Sequence, residues 1–166
     1  SPSISGTSTA CGSVTLTASG GSTYLWNGGS ATTAAINTFT SSGTYQVTVT
    51  GTNGCTATTS QAVTVNANPS ANISGTSTAC GSVTLTASGG STYLWSGGSA
   101  TTDAINTFST SGTYQVTVTS TNGCTATTSQ AVTVNTAASV SISGGTSTVC
   151  SGTAVELTAS GSATYS

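Results

Sequence analysis

Gly43-Thr44-Tyr45-Gln46-Val47-Thr48-Val49-Thr50, followed two residues later by Asn53-Gly54, is the stretch that decides the fold. Tyr45, Val47 and Val49 fall on one side of an extended chain, and Gln46, Thr48 and Thr50 fall on the other. A period of two marks a half-buried strand, so Thr44 to Thr50 reads as one. Asn53-Gly54 is the strongest short hairpin signal, because a type I′ turn needs positive φ at both central residues. The chain then returns through Cys55 to a last strand, in which Val63 and Val65 alternate with Thr64.

Upstream the same grammar repeats. Ser3–Ser5 is a brief first strand, and Val14, Leu16 and Ala18 alternate with threonines in the next. Ser19-Gly20-Gly21-Ser22 turns into Thr23–Trp26, where Tyr24 and Trp26 share a face. Asn27-Gly28-Gly29-Ser30 turns again, and Ala35 to Phe39 gives a further strand centred on Ile36. No stretch shows helical periodicity. About seven short strands with turns every 8–12 residues predict an all-β, antiparallel sandwich. Trp26, Tyr45 and Val47 are its expected core, with the Tyr45 hydroxyl placed on nearby backbone as in a tyrosine corner. Leu25 points away from Trp26, toward a covering strand or another subunit.

The whole pattern recurs. Residues 4–66 return as 73–135 with five differences: Asn27/Ser96, Ala34/Asp103, Thr40/Ser109, Ser41/Thr110 and Gly51/Ser120. Trp95, Tyr114 and Val116 are therefore the core of the second copy, and Leu94 matches Leu25. A third, divergent copy starts at Ile142. The expected domains are residues 1–67, 68–136 and 137–166, the last incomplete, with both ends read as cuts in a longer polypeptide. Pro69 stiffens the first connector.

Copies of this size are near the lower limit for burying enough apolar surface, so an added constraint is expected. The cysteines supply it. Cys11 and Cys55 have the same spacing as Cys80 and Cys124, and Cys150 opens the third copy. Intradomain bridges Cys11–Cys55 and Cys80–Cys124 are expected, with the partner of Cys150 outside the chain. Each would stabilise its domain by roughly 4 kcal/mol on the chain-entropy model. Bridges between neighbouring copies or chains are the competing arrangement. Metal ligation is disfavoured, since neither C-x-x-C pairs nor histidines are present. Disulfides imply an oxidising location, and hence export.

Tyr24-Leu25-Trp26, Gly43 to Val49 and Asn53-Gly54-Cys55-Thr56 together form a distinctive set. On these motifs the repeat resembles the PKD-like and immunoglobulin-like repeats of very large surface adhesins and filaments of Bacteroidota. Those proteins include gliding-motility adhesins exported by the type IX secretion system. The resemblance covers both complete copies and the visible part of the third, as at Leu157-Thr158-Ala159-Ser160-Gly161. It implies an extracellular, multi-copy, non-enzymatic protein at the cell surface. Where PKD-type loops carry Gly-Asp-Gly, this chain has Asn27-Gly28-Gly29, and no metal or other cofactor is expected.

Composition narrows the function further. The chain has no Lys, Arg or His and only two acidic residues, Asp103 and Glu156, whereas Ser and Thr make up 71 of 166 residues. Phosphate neutralisation needs cations, so nucleic acid and anionic lipid are excluded as electrostatic partners. No apolar run is long enough to insert in a membrane. The first copy holds no acid, base or activated nucleophile, so no catalytic residue is expected and an enzyme is excluded for this segment. The leading expectation is a structural stalk or spacer of a cell-surface adhesin, its partners being neighbouring repeats or other copies of itself. The alternative is a self-assembling filament or sheath, favoured by the missing charge repulsion. A carbohydrate-binding module, with Trp26 as stacking platform, is the weaker third. The exposed threonines serve as soluble β-formers or as sites for glycans.

Overall fold

In the computed structural model the described residues are 1–136, 138–144, 148, 150–152 and 154–161. The expected third copy thus falls partly outside them, and residues 162–166 do so entirely. The first copy forms β1 (Ser3–Ser5), β2 (Thr9–Cys11), β3 (Val14–Ser19), β4 (Thr23–Trp26), β5 (Ile36–Phe39), β6 (Gly43–Thr50) and β7 (Thr56–Asn66). The second repeats them as β8 (Asn72–Ser74), β9 (Thr78–Cys80), β10 (Val83–Ser88), β11 (Thr92–Trp95), β12 (Ile105–Phe108), β13 (Gly112–Thr119) and β14 (Thr125–Asn135). In the third, β15 (Ser141–Ser143) pairs antiparallel with β16 (Thr158–Ser160), as β1 pairs with β3.

Each complete copy is an immunoglobulin-like sandwich of two sheets. One has the order β1-β3-β5 and the other β2-β7-β6-β4, with β8-β10-β12 and β9-β14-β13-β11 as their counterparts. The longest ladder runs from Gly43↔Val63 to Thr50↔Thr56 around a five-residue turn, Gly51 to Cys55. The type I′ expectation is corrected there: Gly54 has a positive φ of 81° but Asn53 does not, and the turn is closed by the Gly51 N–H donating to the Cys55 carbonyl at 2.8 Å. One edge departs from the antiparallel expectation: β2 runs parallel to the end of β7, with Thr9↔Thr64 and Cys11↔Asn66. Three residues of Thr-Ala-Cys carry no alternation to announce a strand, so β2 is invisible to periodicity.

The core lies between the sheets. Val14, Leu16 and Ala18 of β3, with Phe39 of the neighbouring β5, pack with Trp26, Val47, Val49 and Val63 of the other sheet. The Trp26 ring meets Phe39 edge-on at 5.5 Å between centroids, and Phe39 lies 4.0 Å from the half-buried Tyr45 ring. Such aromatic contacts stabilise beyond the area they bury. Trp26 Nε1 donates to the Ala34 carbonyl at 3.0 Å, and the Tyr45 hydroxyl donates to the Ser41 carbonyl at 3.0 Å. In the second copy Val116 is buried with Trp95, Phe108 packs between Trp95 and Tyr114, and the same two hydrogen bonds recur to Asp103 and Thr110.

The strand read as centred on Ile36 faces the other way. Ile36 is 58% exposed while Asn37 is 1% exposed. Register explains the inversion: Val14 pairs with Phe39 and Leu16 with Asn37, so the buried face of β3 draws those two inward. Asn37 is satisfied there. Its Nδ2 donates to the Gly28 carbonyl at 2.7 Å, and its Oδ1 accepts from the Ala31 N–H at 2.8 Å. The 28–31 loop is thereby tied to the core. Gly29 completes the fit, since its φ is +93° and a Cβ would stand 2.5 Å from Asn37 Oδ1. On the outer face hydroxyls pair across strands, as in Thr15 with Thr38 at 3.0 Å.

Candidate functional site: the cysteine-bridged joint

The two sheets give each complete copy two poles. At the leading pole lie Ser1, Pro2, Gly20 and the turn holding Asn53 and Cys55, which together line one shallow depression. At the trailing pole lie Cys11 and its neighbour Asn66, followed by the connector, with the Gly12 N–H donating to the Asn66 carbonyl at 2.9 Å. All eleven residues of β7 stand between the two cysteines. At about 3.3 Å per residue, that puts Cys11 roughly 35 Å from Cys55. A disulfide needs Cα atoms within about 7 Å. The expected Cys11–Cys55 bridge is therefore corrected, and the equivalent Cys80–Cys124 bridge falls for the same reason.

Cys11 is bonded instead to Cys124, with Cα atoms 5.7 Å apart. The connector leads from the trailing pole of the first copy to the leading pole of the second, where Ser70 approaches Gly89. Cys124 sits in the turn of that leading pole, so the bridge closes the joint rather than either sandwich. Cys124 is 1% exposed, whereas Cys55, in the matching turn of the first copy, is exposed and free. Cys80 and Cys150 are also exposed and free.

Chymotryptic mapping of oxidised protein checks this directly, since trypsin finds no Lys or Arg. Residues 1–16 should emerge joined to 115–157, with 46–85 released as a peptide carrying two alkylatable thiols. Linkage of 1–16 to 46–85 would reverse the assignment.

Trp26 is 2% exposed with its ring against Phe39, so it offers no face for sugar stacking, and Trp95 is enclosed likewise. In the two complete copies the large apolar groups that reach solvent are Leu25 and Ile36, on edge strands β4 and β5, with Leu94 and Ile105 at the same places in the second copy. Covering by a neighbouring strand, one expectation for Leu25, does not occur. Among the described residues no group of three or more His, Cys, Asp or Glu gathers.

No protein-family model matches the chain, and no curated protein matches it. Solved structures similar to it are tandem immunoglobulin-like proteins. The insect immune protein hemolin is 18% identical, with 80% of this chain and 46% of hemolin covered and a TM-score of 0.41. The chain thus spans under half of hemolin's length. An I-band fragment of titin is 12% identical over 96% of this chain and 76% of the fragment, at a TM-score of 0.36. A Ca2+-stabilized adhesin that helps an Antarctic bacterium reach out and bind ice is 16% identical, covering 89% of this chain and 52% of the adhesin, at 0.34.

Proposed function

We propose that this chain is a non-enzymatic, extracellular structural repeat, a stalk or spacer segment of a cell-surface adhesin, divided at residues 1–67, 68–136 and 137–166. The observation that carries the reading is the Cys11–Cys124 bridge, which fixes one repeat to the next instead of shaping a site. A bond so placed serves length and direction. It also favours an oxidising, exported location. The outer sheet faces, lined by Thr and Ser with almost no charge, suit a surface that stays hydrated without gripping nucleic acid. They also leave many hydroxyls open to glycans. No helix among the described residues is long and apolar enough to cross a membrane.

A second reading, lateral assembly into a filament or sheath, is favoured by one observation. Leu25, Ile36, Leu94 and Ile105 present apolar groups at the same edge positions in both copies. Particle imaging of oxidised protein with free thiols alkylated separates the two. Isolated beaded particles are expected for the spacer, and ordered multi-chain fibres that vanish in Leu25→Ser/Leu94→Ser would replace it with the filament.

A further inference from the structure

Asparagine before glycine is where a polypeptide most readily attacks its own side chain, because no Cβ shields the following nitrogen. The chain holds three such steps, Asn27-Gly28, Asn53-Gly54 and Asn122-Gly123, and all three asparagines are exposed. Two of the amides are held in place. Asn27 Oδ1 accepts from the Gln46 N–H at 2.9 Å, and Asn53 Oδ1 accepts from the Cys55 N–H at 3.2 Å. In the second copy Ser120 Oγ accepts from the Cys124 N–H at 3.2 Å, and the Asn122 amide has no hydrogen bond among the described residues. The backbone of the two turns is otherwise alike. The φ angle is +81° at Gly54 and +79° at Gly123, and each glycine N–H donates at 3.0 Å, to the Gly51 and Ser120 carbonyls. One difference between the copies accounts for the freed amide. A Cβ on Gly51 would stand 2.9 Å from Asn53 Oδ1, and Ser120 carries that Cβ. The serine thus evicts the Asn122 amide and supplies its own hydroxyl in exchange.

We propose that Asn122 is a self-modifying site at the joint between the two copies, deamidating ahead of Asn53 and Asn27. The Gly123 nitrogen gives up its proton to hydroxide and bonds to Asn122 Cγ. The Cγ–Nδ2 bond then breaks, and Nδ2 leaves as ammonia with a proton returned from water. Water next opens the cyclic imide. Opening at Cγ leaves aspartate, and opening at the backbone carbonyl leaves isoaspartate, with an extra carbon in the main chain. Water is the only co-reactant, and nothing is oxidised or reduced. Attack requires Cγ to swing toward the glycine nitrogen, which at Asn53 and Asn27 first breaks the amide's hydrogen bond. At Asn122 no such bond has to break, and a Cβ on Gly123 would meet no atom within 4 Å, so the approach is open. The product matters because of its place. Asn122 shares its turn with Cys124, the residue bonded to Cys11 of the first copy. The new carboxylate enters a chain with no Lys, Arg or His, so no side chain offsets it, and the joint acquires charge as the protein ages. This goes beyond the spacer reading and does not depend on it.

The test holds the oxidised full chain in warm, mildly alkaline buffer, then reduces, alkylates and maps it with chymotrypsin over time. Conversion at Asn122 is read in 115–157, at Asn53 in 46–85 and at Asn27 in 27–39, each located by fragmentation. Asn122 should convert roughly 2- to 10-fold faster than Asn53, the worth of one net hydrogen bond. Ser120→Gly rebuilds the turn of the first copy, so its fold is secure, and it should slow Asn122 to the rate of Asn53. Gly51→Ser should speed Asn53 to the rate of Asn122. Ion exchange should show the converted protein as a more acidic species that grows in step with the map. Equal rates at the two turns, faster conversion at Asn53 or Asn27, rates unmoved by either exchange, or no conversion at Asn122 would overturn the proposal.

Discussion

Trp26→Ala should unfold the first sandwich while the second remains folded. Truncating a buried aromatic costs about 3–5 kcal/mol. Here the loss is compounded, because the Ala34 carbonyl forfeits its donor and Phe39 loses its edge-on partner. A domain of this size has a total stability of only about 3–10 kcal/mol at 0.05–0.15 kcal/mol per residue. The variant also isolates its own signal, since Trp95 becomes the sole tryptophan. Fluorescence should then report a parent-like transition for the second copy. Far-ultraviolet circular dichroism on the same sample should show roughly half the strand signal lost at a much lower temperature. Trp95→Ala should mirror it. A single transition near the parental midpoint by both probes would mean that Trp26 is not the keystone of its core.

Asn37→Ala is expected to be nearly as damaging, by about 2–5 kcal/mol. Two part-buried groups, the Gly28 carbonyl and the Ala31 N–H, lose their partner, each at a cost of about 1–3 kcal/mol where water does not replace it, and the deleted amide leaves a void among Leu16 and its neighbours. Asn37→Leu restores volume but no hydrogen bond, so it should not rescue. Ile36→Ser, one residue away and exposed, should change stability by no more than about 0.5 kcal/mol. Urea denaturation of the three variants ranks them. If Ile36→Ser proved more damaging than Asn37→Ala, the inward face of β5 would be wrongly assigned.

That contrast shows what the sequence made legible. The hairpin of β6 and β7 is readable because alternation and the Asn53-Gly54 turn signal agree with each other, β3 because its apolar residues keep a strict period of two, and β4 because its aromatic residues Tyr24 and Trp26 share a face. Trp26 and Val47 stood out for the same reason. In β5 the one aliphatic residue faces solvent and a polar residue faces the core, an arrangement fixed by pairing with β3 and not by hydropathy. β2 is too short to show a pattern, and its partner is distant in sequence and parallel. The cysteine pairing failed through a single missing quantity, the length of β7. Alternation is visible only around Val63 and Val65, which leaves open how far the strand carries Cys55 from Cys11. Its Thr-rich first half extends it to eleven residues and carries Cys55 to the opposite pole. Spacing along the sequence matched Cys11 with the wrong repeat because equal spacing is what any duplication produces.

The Cys11–Cys124 bond also reroutes tension. When the two ends of the chain are pulled apart, force passes from residue 11 directly to residue 124 through sulfur, and the 113-residue span between them is bypassed. β3 to β13 then lie off the covalent path of the load, and about 400 Å of potential extension at roughly 3.5 Å per residue stays stored. Reduction would release it, so the chain's give under strain is governed by the redox chemistry of its surroundings.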